Sequence, residues 1–239
     1  MRALLKRLLA ADRNEQARIE WVKTALAAIP AGGRLLDAGA GEQRYRQFCK
    51  HLQYVAQDFG QYDGAGNRKG LHSGNWDYTG VDIVCDIADI PEPPASFAAI
   101  LCTEVLEHVP DPARVLGEFS RLLQPGGTLV LTAPFASLVH FAPYFFATGF
   151  SRYWYEHHLP AKGFRIEELT PNGDWYDVLY QETMRLPQLA LRENLLLGVL
   201  FAPFAAALLL ALRFRRLFVR GNTTADIATL GFHCVARKL

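Results

Sequence analysis

The sequence predicts an α/β fold in which a mostly parallel sheet is covered by helices on both faces. Three observations predict it. The stretch RLLDAGAG, from Arg34 to Gly41, joins an apolar strand-like pair (Leu35, Leu36) to an acid, Asp37, and to two glycines one residue apart, Gly39 and Gly41. That is the pattern of a strand turning tightly into a helix around a small ligand, because glycine permits backbone angles and close approaches closed to other residues. Strand-like runs then alternate with helix-like ones, as parallel pairing requires. Finally, 239 residues suffice for one sizeable core and are too few for two comfortable domains. The net charge of +1 gives no sign of nucleic-acid binding driven by bulk charge.

The elements follow in order. Residues 1–33 read as a helical extension of one or two helices. Leu4, Leu5, Leu8 and Leu9 share a face with Arg2, Lys6 and Arg7 interleaved, as in a helix packed on the domain or, second in preference, lying on a membrane. Lys6 and Arg7 interrupt the apolar run before it reaches the length of a secretory signal. After the glycine turn, EQRYRQFCK is expected to be a helix with its first N–H groups free to meet an anion. QYVAQD, Gln53 to Asp58, reads as a second strand. Asp58 stands 19 residues beyond Gly39, where an acid can accept hydrogen bonds from ribose hydroxyls; a turn-capping aspartate is the plainer alternative.

Residues 60–80, rich in Gly, Asn, Asp and Tyr, read as a long functional loop. VDIVCDI gives a third strand ending on Asp86, placed to accept from an exocyclic amine, and FAAILC a fourth. TEVLEHVPDP is a polar turn into a helix from about Pro112 to Leu123, with Val115, Leu116, Phe119, Leu122 and Leu123 as its core face. QPGG stops that helix and TLVLTAP is the fifth strand. GFRIEELTP and ADIATLGFHCVARKL supply the sixth and seventh. Cys49, Cys85, Cys102 and Cys234 lack close pairing and read as reduced thiols of a cytoplasmic protein.

LLDAGAG, Asp58, Asp86, ILCTEVLEHVPDP and LLQPGGTLVLTAP, in that order, resemble the class I S-adenosylmethionine-dependent methyltransferases, of the type 11-like, glycan-cluster kind. The resemblance covers about Arg34 to Pro134. It implies a Rossmann-like, seven-stranded, mostly parallel sheet whose seventh strand is antiparallel, with the whole chain, 1–239, as one such domain. Arg44 stands where a dinucleotide fingerprint needs its third glycine, which counts against NAD. The resemblance further implies S-adenosyl-L-methionine as cofactor. Asp37, Gly39 and Gly41 would line its methionine end, Asp58 its ribose and Asp86 its adenine amine. Ile87 would pack on the adenine ring, with Thr103 and Glu104 beside the cofactor. His108 reads more readily as structural than as a base.

The acceptor wall is expected after the fifth strand, where His140, Tyr144, Tyr153, Trp154, Tyr155, His157 and His158 lie close in sequence. Related glycan-cluster methyltransferases carry a PF…H…PY segment, and Pro134, Phe135, His140, Pro143 and Tyr144 retain it. His140, His157 and His108 are the candidate bases. No metal site is expected, since His157 and His158 are neighbours pointing apart with only Glu156 nearby.

The connection between the sixth and seventh strands is about fifty residues long and holds LLLGVLFAPFAAALLLAL, Leu195 to Leu212, with Arg213, Arg215, Arg216 and Arg220 behind it. A single membrane crossing would strand the seventh strand on the wrong side of its sheet. Pro203 divides the run in two and Gly198 loosens its first half, so residues 194–220 are expected to form a bent in-plane or re-entrant hairpin whose arginines meet anionic headgroups. A helix pair buried in a dimer is the alternative. The expectation is an enzyme, peripheral or monotopic at the inner face of the membrane, that O-methylates a small-molecule or lipid-linked acceptor. A noncatalytic, cofactor-binding scaffold is the runner-up and a nicotinamide oxidoreductase a distant third.

Overall fold

A computed structural model describes residues 13–71, 76–215, 218–219 and 221–239. The expected face of Leu4, Leu5, Leu8 and Leu9 lies outside the described residues. Seven strands form one sheet in the order β3-β2-β1-β4-β5-β7-β6: β1 (Arg34–Ala38), β2 (Gln53–Asp58), β3 (Ile83–Val84), β4 (Phe97–Thr103), β5 (Leu123–Pro134), β6 (Phe164–Pro171) and β7 (Gly231–Lys238). The pairs β1–β2, β1–β4, β2–β3 and β4–β5 are parallel, and β7 lies antiparallel on β5. This is the Rossmann-like arrangement expected, with the strand order switching sides at β1.

Residues 18–170 and 231–239 make one compact unit. Successive strand residues point to opposite faces, so the core divides in two. Leu35, Leu101 and Val130 pack with Val22 and Leu26 of α1 (Arg13–Ala27). Leu36, Ile100, Leu129 and Leu131 pack with Leu116 and Phe119 of α2 (Pro112–Leu122) and with Tyr155 and Leu159 of α3 (Arg152–Ala161). Helix α2 begins where the sequence places it because Asp111 accepts the Arg114 N–H at 3.0 Å and Pro112 follows at the first helical position.

Two local expectations fail. EQRYRQFCK forms turns and a single 3-10 turn over Arg46–Phe48 instead of an α-helix. Gln43 is held at φ 55°, outside helical angles, while the buried Tyr45 and Cys49 pin the segment against β1. The third strand shrinks to two residues. Asp82 just before it exchanges hydrogen bonds with Ala56, its side chain accepting the Ala56 N–H at 2.8 Å, and Asp86 just after it closes a turn by accepting from Ala88 N–H at 2.8 Å.

The described residues among 13–17 and 171–230 form the second unit. Within it α4 (Trp175–Glu193) and α5 (Leu195–Arg215) pair as a helical hairpin. Asp174 caps α4 in a capping box with Asp177. Asn194 then does two jobs: its N–H closes α4 on the Ala190 carbonyl, and its side chain accepts the Leu196 N–H at 2.7 Å to open α5. The apolar run is therefore one continuous helix, and the hairpin's arms are α4 and α5 rather than the two halves flanking Pro203. Proline costs the helix one donor, and with Asn194 already providing the reversal the chain has no reason to bend again. Gly198 is the point of close approach, because a Cβ there would lie 2.4 Å from the Leu191 side chain. Two of the four arginines are engaged within this unit. Arg215 lies over the Tyr176 ring and pairs with Asp174 at 3.4 Å, and Arg213 lies over Tyr180. Arg216 and Arg220 lie outside the described residues.

Candidate functional site

The predicted residues gather at the carboxyl ends of adjacent parallel strands, where open α/β sheets bind ligands. Asp37 and Asp58 come from the ends of β1 and β2, Asp86 and Ile87 follow β3, and Thr103 and Glu104 end β4. Gly39 and Gly41 adopt φ of 75° and 49°, which a side chain would strain. Their surroundings are also tight. A Cβ on Gly39 would strike Val105, and one on Gly41 would come within 2.3 Å of the Trp76 ring.

Asp37 is buried, and the Tyr54 hydroxyl donates to it at 2.5 Å. Burial, opposed by that hydrogen bond, still pushes its carboxyl up to about 7. Asp58 accepts the N–H groups of Gly41 and Gly60 at 2.9 and 3.0 Å. Burial raises its carboxyl too, and these donors hold the rise in check. Lone pairs remain on both acids for a hydroxyl or an ammonium group. Gln57 accepts from Gly39 N–H and donates to the Cys85 carbonyl, fixing the glycine turn against β3. Asp86 is exposed and Ile87 buried. Glu104 takes a φ of 54°, accepts from the Thr132 hydroxyl at 3.0 Å and pairs with Arg18 at 2.9 Å. Tyr54, Gln57 and Trp76 escape sequence reading because each acts through the fold rather than through a motif.

The other side of the site is built by the 3-10 turn Leu106–His108 and the segment after β5. His108 and His140 lie with ring centroids 4.7 Å apart. Both donate Nδ1–H to a backbone carbonyl, His108 to Tyr144 at 2.7 Å and His140 to Leu138 at 2.9 Å, which fixes the tautomer and leaves each Nε2 as a lone pair. Burial, then the neighbouring His140, lowers His108 to about 4. Glu107 is fully buried, and neither of its carboxylate oxygens has a hydrogen-bond partner among the described residues. Burial, then Glu104, pushes it well above the carboxylate range. Sequence reading missed Glu107, which stands in an irregular turn where no periodicity marks it as internal.

The long loop joins this side. Leu71 N–H bonds the Val139 carbonyl at 2.9 Å, Asn67 N–H the Ala142 carbonyl at 3.2 Å, and Tyr62 stacks on Phe141 at 3.6 Å. Tyr144 approaches Phe59 edge-on. His157 stands apart, exposed on α3 with its ring against His158; Glu156 beside it pairs with Arg152. Tyr155 is core, and Tyr153 is exposed.

A family model described as a methyltransferase domain matches residues 9–188. A ubiquinone biosynthesis O-methyltransferase of Xanthomonas euvesicatoria pv. vesicatoria is 38% identical over 119 residues, 48% of each chain; the chain spans about half the length of the curated relatives it matches. Among solved structures, a putative sarcosine dimethylglycine methyltransferase from Galdieria sulphuraria superposes with a TM-score of 0.56 at 15% identity, covering 93% of this chain and 86% of that one. Phosphoethanolamine N-methyltransferase 2 of Haemonchus contortus, in complex with S-adenosyl-L-methionine, superposes at 0.52 and 18% identity, covering 93% and 52%. These structural likenesses concern the fold.

Proposed function

The chain belongs to the class I S-adenosylmethionine-dependent methyltransferases, and from that membership we propose that it O-methylates an amphiphilic acceptor at the cytoplasmic face of a membrane. A lipid-linked sugar, a glycolipid or a quinone precursor fits that description, and the relatives named for ubiquinone biosynthesis support the last. The observation that carries the reading is one chain holding both a strand-end acid site and an uncharged, largely exposed helical run, Leu195 to Leu212.

The donor set fits the cofactor. Two buried carboxylates with lone pairs to spare flank a glycine turn that admits close approach, and an exposed acid follows β3. Asp37 would face the ammonium group, Asp58 the ribose hydroxyls and Asp86 the adenine amine. Ile87 would pack on the ring, and Gly39, Gly41, Thr103 and Glu104 would line the remainder. Bound there, S-adenosylmethionine supplies an electrophilic methyl on a sulfonium. The chain's own part is to align the acceptor oxygen, exclude water and remove a proton. The Nε2 lone pairs of His140 and His108 are placed for that last role, with His140 the more accessible.

The whole chain reads as one methyltransferase domain, with 1–33 as a helical extension and 194–220 as a membrane-associating insertion. Leu195, Leu196, Val199, Leu200 and Phe204 are 53–73% exposed, an apolar surface that water disfavours. A single crossing by α5 would part β7 from β5, so the helix lies in the interface. Replacing those five residues by Gln should turn a protein that pellets with anionic vesicles into one that stays in the supernatant. Calorimetry with S-adenosylhomocysteine should give the same heat for both forms. Pelleting by the Gln variant would overturn the membrane reading, and absence of S-adenosylhomocysteine binding by either form the enzymatic one.

A further inference from the structure

We propose that Glu107, His108 and His140 form a site for one first-row divalent metal ion of the zinc, iron or manganese class. The ligand atoms converge from two segments. His108 Nε2 lies 3.7 Å from Glu107 Oε1 and His140 Nε2 lies 3.9 Å from the same oxygen. All three groups can bring one ligand atom within 4.8 Å of the others.

The chemistry of those atoms makes the arrangement unusual. Each imidazole has already spent its N–H on a carbonyl, so both Nε2 atoms are acceptors, and the carboxylate is an acceptor as well. With Glu107 ionised, three acceptors therefore meet with no donor among them. The spacings exceed hydrogen-bond length, so a proton on Glu107 would not bridge to either ring. A buried carboxyl group without a partner is costly, and a cation converts all three contacts from repulsive to attractive.

Other features agree with an ion. Two imidazoles and one carboxylate are a donor set for zinc and its neighbours rather than for magnesium or calcium. The Tyr144 and Leu138 carbonyls behind the rings are the outer partners that orient metal-bound histidines. Bonds of about 2.0–2.2 Å would draw the atoms inward by about an ångström, and His140, on a loop and one-third exposed at its side chain, supplies both the movement and the way in. Three protein ligands leave positions open to water or an acceptor oxygen, where a metal lowers the pKa of a bound hydroxyl; with the ion bound this takes the place of proton removal by the two Nε2 atoms, whose lone pairs the ion occupies. That last role rests on the acceptor reading above; the site itself does not.

The full chain, stripped with a chelator, is to be titrated with Co²⁺ and followed by visible absorption. One equivalent should bind per chain. His140→Ala and Glu107→Gln should each raise the Kd about a hundredfold or more, since even outer-partner losses cost ten- to a hundredfold. His157→Ala should bind Co²⁺ like the parent, which separates the site from the exposed His157–His158 pair. Absence of Co²⁺ binding, or undiminished binding by His140→Ala, would overturn the proposal; His140 lies on a partly exposed loop, so its variant remains informative even if Glu107→Gln misfolds. The Co²⁺ spectrum needs neither cofactor nor acceptor. Metal binding without S-adenosylhomocysteine binding would sink only the enzymatic reading, and the reverse only the metal.

Discussion

Asp37 and Asp58 on one side of the candidate site and Glu107 on the other are all buried carboxyl groups, at 2%, 6% and 0% exposure, yet their surroundings differ completely. The two aspartates are met by a tyrosine hydroxyl and by glycine N–H groups. Glu107 meets none. A buried polar group that is already satisfied serves as a fixed template, whereas one left unsatisfied marks a place completed by something that arrives later. On the function proposed above, the difference would give recognition to the aspartate side and reactivity to the glutamate side.

The largest expected effect probes the reactive side. His140→Ala should lower turnover on an identified acceptor by about 10² to 10⁴-fold, the range for a lost proton-transfer group, with S-adenosylhomocysteine affinity unchanged by calorimetry. A matching loss of affinity would dissolve the division between the sides. On the template side, Asp58→Ala should weaken S-adenosylhomocysteine by about 1–3 kcal/mol as charged hydrogen bonds are lost. Asp58→Asn, which keeps an acceptor for one glycine N–H, should retain part of the affinity. An effect confined to turnover would place Asp58 on the wrong side of the comparison.

A third expectation sharpens the comparison by pH. Burial raises Asp37 to about 7, so between about pH 4 and 7 the folded protein holds a proton that the unfolded chain has released. Stability from this group is then fullest at the acid end and falls as pH rises through that window. An incoming ammonium group prefers the ionised form. Affinity for S-adenosylhomocysteine should thus rise about tenfold per pH unit up to about 7 and then level off, with proton release on binding below that point. Calorimetry in buffers of different ionisation enthalpy measures both, and proton uptake instead of release would contradict the role given to Asp37.

Much of this was readable in the chain itself. RLLDAGAG, the order of strands and helix α2 are local signals, because burial alternation, glycine turns and Asp111-Pro112 capping act within a few residues. The same holds for Asp37, Asp58 and Asp86, whose places follow from being strand ends. Longer-range effects stayed hidden. Residues 42–49 carry helix-forming side chains, but packing against β1 prevails over propensity. The proline in α5 reads as a break, and only the partnership of Asn194 with both helices explains why it is not. Glu107 looks like one more polar residue in TEVLEHVPDP, since its burial is decided by what lies around its turn.

The contacts of Asn67 and Leu71 with the segment bearing His140, and the stacking of Tyr62 on Phe141, carry a kinetic consequence. Residues 62–71 and the segment bearing His140 are thereby tied together, so an opening of one is expected to draw on the other. On the function proposed above, cofactor exchange and acceptor entry are then expected to share one opening event, and unequal opening rates for the two would contradict it.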